Sequence, residues 1–240
     1  MFPVDNAAGD AVPPVPPPSA GTIFGSALDQ AVAFAGLLAT RGVEQGLIGP
    51  HEVPRLWDRH LLNCAVVAEL IGSKHRTLVD IGSGAGLPGI VLAMMRPELA
   101  VTLLEPMERR CRFLTDCLAE LGLANANVLR GRAEETRLRA DVATARAVAP
   151  LDRLAGLASG LVRPGGLVLA IKGQTAAEEL KKARQSCGEL VPAVPRLCGS
   201  GKVRSILRLP LCGSSLDKAG HRWRSATVSS ARPISSRRPV

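Results

Sequence analysis

Apolar residues change their period several times along the chain, and each change predicts an element. Phe24, Leu28, Ala31, Val32, Ala35 and Leu38 recur at helical spacing and predict an amphipathic helix over residues 24 to 40. A second helix is predicted from about Glu52 to Ile71, its apolar face built from Leu56, His60 or Leu61, Cys64, Val67 and Ile71. Short apolar runs then predict strands near 77–81, 101–105, 127–130, 142–145 and 167–171, separated by helices near 88–95, 108–121 and 150–161. Five short strands alternating with helices specify an α/β domain. Its sheet is expected to be mostly parallel, with helices on both faces and an N-terminal helical extension before it.

Ligands of such sheets lie at the carboxyl ends of the strands, and those ends carry the candidate chemistry. The most informative is Asp80-Ile81-Gly82-Ser83-Gly84-Ala85-Gly86-Leu87-Pro88-Gly89, which follows the apolar run Thr77-Leu78-Val79. Gly82, Gly84 and Gly86 let backbone approach a ligand closely and take dihedrals barred to larger residues. Their spacing by two is neither the G-x-G-x-x-G of dinucleotide folds nor a P-loop, which ends in Gly-Lys-Ser/Thr. Asp80, expected at the mouth of the loop with Ser83 and Leu87, would repel a pyrophosphate and attract the ammonium of a cationic ligand. S-adenosyl-L-methionine carries such an ammonium.

The next predicted strand, Val101 to Leu104, ends in Glu105, 23 residues after Gly82. That is close to the roughly 20 expected for a carboxylate gripping ribose hydroxyls. The alternative is that Glu105 caps the helix entered at Pro106. After the third strand, Ala133 leaves room for an adenine beside Glu134, although Glu134 and Glu135 also suit a helix N-terminus. Arg146 and Lys172 end the fourth and fifth strands, and as candidate catalytic cations they suit a polyanionic substrate or the electron-rich edge of a base. Each could equally be a solvated strand-end charge.

Charge and composition set the limits. The net charge is +9, and all of the excess lies beyond Ala183, where 11 Lys and Arg face only Glu189 and Asp217. Residues 184–240 are also Ser-rich, with one plausible short strand around Val203 to Leu209, and are expected to form a poorly ordered tail. An RNA-grasping arm is the other reading of that tail. Residues 1–22 hold a proline run without a basic start and are expected to be an unstructured leader. That leaves N-terminal helices over 23–76 and a core over 77–183. No apolar run approaches the roughly 18 residues of a membrane span, and the six cysteines form no C-x-x-C pair, so a cytoplasmic protein with no membrane partner is expected. Cys64, Cys111 and Cys117 read as buried hydrophobes, and the four histidines show no metal-ligand spacing.

Taken together, Leu56-Trp57-Asp58-Arg59-His60-Leu61-Leu62-Asn63-Cys64, the loop Asp80 to Gly89, Arg130 to Glu134, Arg146-Ala147 and Ala170-Ile171-Lys172-Gly173 resemble the bacterial RsmG (GidB) family over about residues 24 to 183. Many methyltransferases share such glycine loops, whereas the Trp57-Asp58-Arg59-His60 helix and the Leu-Pro-Gly ending are more particular. The resemblance implies a Rossmann-like class I methyltransferase fold. It also implies S-adenosyl-L-methionine as cofactor and N7 of one guanine in 16S ribosomal RNA, free or in the small ribosomal subunit, as acceptor. It places Gly82, Leu87, Ala133, Glu134 and Arg146 at cofactor positions, Glu105 at an acidic position and Lys172 near the acceptor. Family members normally close the sheet with a helix and two further strands. Here that pattern fades after about Ala183, and no final hairpin is expected.

Guanine N7 is a lone-pair nucleophile without a proton, so its methylation requires alignment and desolvation but no general base. No histidine or cysteine falls in the glycine loop or at a later strand end through Lys172. Two alternatives stand beside this reading. A small-molecule methyltransferase would need an apolar lid that an aromatic content of 2% hardly supplies, and a catalytically impaired RNA- or ribosome-binding protein would not need an intact loop. His60 is read either as an RNA contact or as a buried, hydrogen-bonded histidine, while Trp57 and Arg59 are expected at the surface. A monomer is expected.

Overall fold

The computed structural model describes residues 14–172, 178–179, 191–193 and 206–210. Seven strands, β1 (Thr77–Ile81), β2 (Ala100–Glu105), β3 (Ala126–Arg130), β4 (Ala140–Arg146), β5 (Val162–Ile171), β6 (Val191–Ala193) and β7 (Ile206–Pro210), form one sheet in the order β3-β2-β1-β4-β5-β7-β6. The first five pair in parallel, and β7 runs antiparallel to both β5 and β6. The hairpin of β6 and β7 corrects the expectation that the sheet lacks one. The rest of the expected tail, and residues 1–13 of the expected leader, lie outside the described residues.

Alternation within the strands shows why the apolar runs are continuous. Leu78, Val142 and Leu167 belong to one core, and their chain neighbours Val79, Ala143 and Val168 belong to a second core on the opposite face. A strand buried on both sides can place apolar residues at every position. The first core is roofed by the N-terminal helices with α4 (Gly89–Met95) and α5 (Glu108–Glu120), and the second by α6 (Leu151–Ser159).

The N-terminal helices share that first core. Helix α1 (Pro18–Phe24) starts within the expected leader, with proline at its first position, where a missing N–H costs nothing. It runs through a short 3₁₀ turn into α2 (Leu28–Leu37) and a π turn over Leu38–Gly42. The stretch Pro18–Gly42 is long and apolar enough to cross a membrane by length and composition, although its apolar residues form no unbroken run. Its residues Ala20, Phe24, Ala31, Phe34, Ala35 and Leu38 are buried in the core. The second predicted helix is a continuous succession of 3₁₀, π and α turns from Pro50 to Leu70, containing α3 (Leu62–Ala65). Trp57 is buried, correcting the expected surface position. Its Nε1 donates to the Pro14 carbonyl at 2.7 Å, and its ring meets Phe24 edge-on at 6.0 Å. Arg96 ties the end of this segment to the sheet layer by donating to the Ala68 and Ile71 carbonyls.

Candidate active site

The strand order reverses on either side of β1, and a cavity of about 420 Å³ opens at that point, above the carboxyl ends of β1, β2 and β4. Gly82, Ser83, Gly84, Ala85 and Leu87 line it from the β1 loop, and Glu105, Pro106, Met107 and Arg110 from beyond β2. Arg146, Ala147 and Val148 line it from beyond β4, and Leu47, Ile48 and His60 close it from the N-terminal helices.

The loop spends its amides inward. Gly82 and Ser83 N–H donate to the Leu104 carbonyl at 2.8 and 3.1 Å, Gly84 N–H donates to Glu105 Oε2 at 2.9 Å, and Gly86 N–H donates to the Ser83 carbonyl at 2.8 Å. A phosphate cradle needs such amides aimed at the ligand. This loop instead offers a glycine surface that a ligand can approach. Gly82 has φ of +63°, and a Cβ there would come within 3.1 Å of Val148 Cγ2, so any larger residue would close the passage between the two loops.

Glu105 is 1% exposed, with one carboxylate oxygen bonded to Gly84 N–H and the other to Met107 N–H at 3.0 Å. It therefore anchors the glycine loop and the turn that leads into α5, whose first-turn amides take no side-chain cap. A carboxylate has about four lone-pair sites, so two remain for hydroxyl donors in the cavity. Arg110 Nη1 stands 3.9 Å from Glu105 Oε2.

Asp80 is not at the mouth. It is 1% exposed beneath the loop, where Oδ2 accepts from Gly89 N–H and Oδ1 from the Thr144 hydroxyl, each at 3.0 Å. It thus ties α4 to β4 across β1. Desolvation pushes its carboxyl up to about 6, against the hydrogen bonds from Thr144 and Gly89 that favour the ionised form. Because that value lies above the ordinary aspartate range, the stability this group contributes is present below about pH 4 and is lost as pH rises through about 6. Asp80→Asn, which can still accept from Gly89 and donate to Thr144, removes the titration. Its stability relative to the parent is expected to rise by about 2 kcal/mol between pH 4 and pH 7, read by denaturant unfolding at both values. An unchanged difference would contradict the burial argument.

Arg146 is half-buried at the end of β4, whose other residues are fully buried. Its Nη2 donates to His60 Nδ1 at 2.5 Å, and its Nη1 lies 3.6 Å from Cys64 Sγ. His60 is buried, in keeping with the second of its two readings, and its Nε2 stands 2.9 Å from Glu52 Oε2. Arg59 is half-exposed and pairs with the same carboxylate at 2.6 Å.

Lys172 is buried rather than solvated. Its Nζ donates to the Ala149 carbonyl and pairs with Glu179 at 2.9 Å, so it braces the loop that carries Ala147 and Val148 and does not line the cavity. Ala147 in that loop has φ of +55°, unusual for a residue other than glycine. Gly86 likewise lies behind the cavity wall, against Ile90. Ala133 packs on the second core, and exposed Glu134 faces Arg153 at 3.7 Å, so neither lines the cavity. Gly82, Ser83, Gly84, Leu87, Glu105 and Arg146 are thus brought together, whereas Asp80, Gly86, Ala133, Glu134 and Lys172 stand behind or beside the cavity. Leu47, Ile48, Met107, Arg110 and Val148 were missed. They stand on loops or at a helix start, where no period marks them.

The family described as rRNA small subunit methyltransferase G (GidB) matches residues 27–198. The chain belongs to this family. Its similarity extends beyond Ala183, where the pattern was expected to fade. The chain is 54% identical over 193 residues to the Ribosomal RNA small subunit methyltransferase G of Thermobifida fusca, covering 79% of this chain and 81% of that protein. It is 52% identical over 210 residues to the protein of the same name from Salinispora tropica, covering 80% of this chain and 86% of that one. Among solved structures it is similar to the S-adenosylmethionine-dependent methyltransferase SibL, with TM-score 0.54 and 14% identity over 79% of this chain and 70% of that one. A Methanococcus maripaludis protein described as an S-adenosyl-L-methionine-dependent methyltransferase gives TM-score 0.53 and 13% identity over 77% of this chain and 95% of that one. These two likenesses bear out the Rossmann-like methyltransferase fold.

Proposed function

We propose that this member of the rRNA small subunit methyltransferase G family methylates N7 of a guanine in 16S ribosomal RNA, as a monomer in the cytoplasm. Its family membership makes it an S-adenosylmethionine-dependent methyltransferase of small-subunit ribosomal RNA. The observation that carries the finer reading is the cavity at the switch point, with a glycine wall, a fixed carboxylate and a cation converging on one space supplied by a single chain.

The residues present fit the cofactor. Glycines 82 and 84 leave one wall bare, Leu47, Ile48, Leu87 and Met107 are apolar, and Glu105 offers acceptors to ribose hydroxyls. The inward-turned loop amides disfavour a pyrophosphate and leave room for a ligand with a cationic centre. When bound, S-adenosylmethionine supplies a sulfonium methyl that a lone pair can take directly. Removing the carboxylate by Glu105→Ala is expected to weaken cofactor binding about ten- to hundredfold in titration calorimetry, through lost charge-assisted hydrogen bonds and a loosened loop. An unchanged dissociation constant would remove Glu105 from the cofactor site.

The chain's own part in transfer is alignment. Guanine N7 has no proton to lose, and the histidine lining the cavity cannot act as a base, because Arg146 occupies Nδ1 and Glu52 engages Nε2. Two of the five guanidinium donors of Arg146 are taken by His60 and Cys64, which leaves others for guanine O6 or a phosphate. Lys172 acts behind this by holding the Ala149 carbonyl, and with it the loop next to Arg146. A transcript of the 16S RNA in which 7-deazaguanine replaces guanine tests the reading. Methyl transfer to the ordinary transcript or subunit, lost with the deaza analogue, is expected, and undiminished transfer would exclude N7.

A further inference from the structure

The polar chain behind Arg146 leaves the methyltransferase core and enters the N-terminal helices. It runs from Arg146 Nη2 to His60 Nδ1 at 2.5 Å, from His60 Nε2 to Glu52 Oε2 at 2.9 Å, and from Glu52 Oε1 to Arg59 Nη1 at 2.6 Å. A guanidinium has only donors, so His60 Nδ1 must accept, and the ring proton resides on Nε2. Glu52 takes that proton's hydrogen bond. The bond to His60 also holds the Glu52 carboxyl below its ordinary range, so an acceptor is present throughout neutral pH.

We propose that His60 is a positioning residue for methyl transfer: it fixes the Arg146 guanidinium in its cavity orientation, and Glu52 fixes the tautomer in which His60 can do so. This rests on the reading of Arg146 as the group that meets the acceptor guanine. Arginine has high rotamer entropy, and a donor that must be aligned at the moment of transfer gains most from being held beforehand. The hold comes from outside the sheet. Residues 50–61 are themselves held by Trp57, which bonds to Pro14 and packs against Phe24, so the N-terminal extension forms part of the site. His60 and Arg146 both line the cavity, whereas Glu52 does not.

The test uses the full chain and four variants, His60→Phe, His60→Gln, Glu52→Ala and Arg146→Ala, with methyl transfer to small subunits lacking the modification, cofactor titration and thermal unfolding. His60→Phe is expected to lower kcat/KM for the RNA by about tenfold to hundredfold with the cofactor dissociation constant little changed. It should cause no further loss in an Arg146→Ala background. His60→Gln, whose amide can accept from Arg146 and donate to Glu52, should restore most of the rate. Full activity of His60→Phe, or the same fold-loss in the Arg146→Ala background, overturns the proposal. If His60→Phe does not fold, Glu52→Ala decides, with a several-fold lower kcat/KM at unchanged Tm expected and an unchanged kcat/KM contradicting it. Nitrogen-15 NMR of His60 is independent of turnover. The Nε2–H tautomer is expected and Nδ1–H overturns the pairing, even if the chain transfers nothing to RNA and the functional reading itself fails.

Discussion

Arg146→Ala is expected to lower kcat/KM for ribosomal RNA methylation by about 10²- to 10³-fold, the usual cost of removing one preorganised donor from a reacting site. Cofactor affinity should move by about tenfold or less. The reasons lie in placement. Arg146 ends β4, which is buried along its length and paired on both sides by β1 and β5, so its backbone is fixed to the most rigid part of the sheet. Its side chain reaches the switch-point cavity already bonded to His60. Alanine leaves His60 Nδ1 without its donor and the acceptor without its cation. Arg146→Lys should recover little, since an ammonium cannot hold the histidine and present a second N–H in one plane. Turnover and cofactor affinity both unchanged in Arg146→Ala would remove this residue from the mechanism.

The largest loss of stability is expected from Gly89→Ala. Helix α4 enters directly over β1 and β2, and a Cβ on Gly89 would stand 2.3 Å from Leu103 Cδ2 and 2.7 Å from Asp80 Oδ2. Neither neighbour is the free end of a flexible side chain. Leu103 is fully buried in the middle of β2, and Asp80 is fixed by Thr144 and by Gly89 N–H itself. Overpacking of this kind costs about 1–3 kcal/mol, and a weakened bond to a buried carboxylate adds about 1–3 kcal/mol more. A sum of about 4 kcal/mol corresponds to a drop in Tm of roughly 10 °C for a domain of this size. Thermal unfolding of the variant reads it directly, and parental stability would show that α4 does not sit against Asp80 as described.

Asp80 and Gly89 also show where the sequence stops being readable. A carboxylate before a glycine loop can stand above it and meet a ligand or lie beneath it and hold the scaffold. Nothing local to the loop distinguishes the two. The deciding partners, Gly89 nine residues on and Thr144 on a neighbouring strand, become adjacent only when β1 pairs with β4. The first four parallel strands, by contrast, were legible to within two residues, and the second half of β5 with them. A strand buried on both faces is apolar at most of its positions, and β1, β2 and β4 each run into a charge or a glycine. β7 falls largely within the short strand expected around Val203 to Leu209, whereas the three residues of β6 are too few to show a period.

Within the site, the residues on strand ends and in the glycine loop were legible, and those on the other loops were not. Gly82, Glu105 and Arg146 follow directly from strands, so a period change marks them. Val148, Met107, Leu47 and Ile48 line the same cavity because of the paths their loops take. Trp57 was misplaced for a related reason. It lies off the apolar face built from Leu56, Cys64, Val67 and Ile71, yet Phe24 and Pro14 from earlier in the chain cover it. Ala133 and Glu134 follow a strand end as well, but the loop after β3 carries them onto the second core and towards Arg153.

One measurement bears most directly on the assignment of this cavity as the seat of methyl transfer to RNA. The purified chain is incubated with labelled S-adenosylmethionine and small ribosomal subunits lacking the modification, and the labelled nucleotide is mapped. The account predicts label on N7 of a single guanine of 16S RNA, lost with Arg146→Ala. Label on another atom, on another RNA or on no RNA while the cofactor still binds would contradict it.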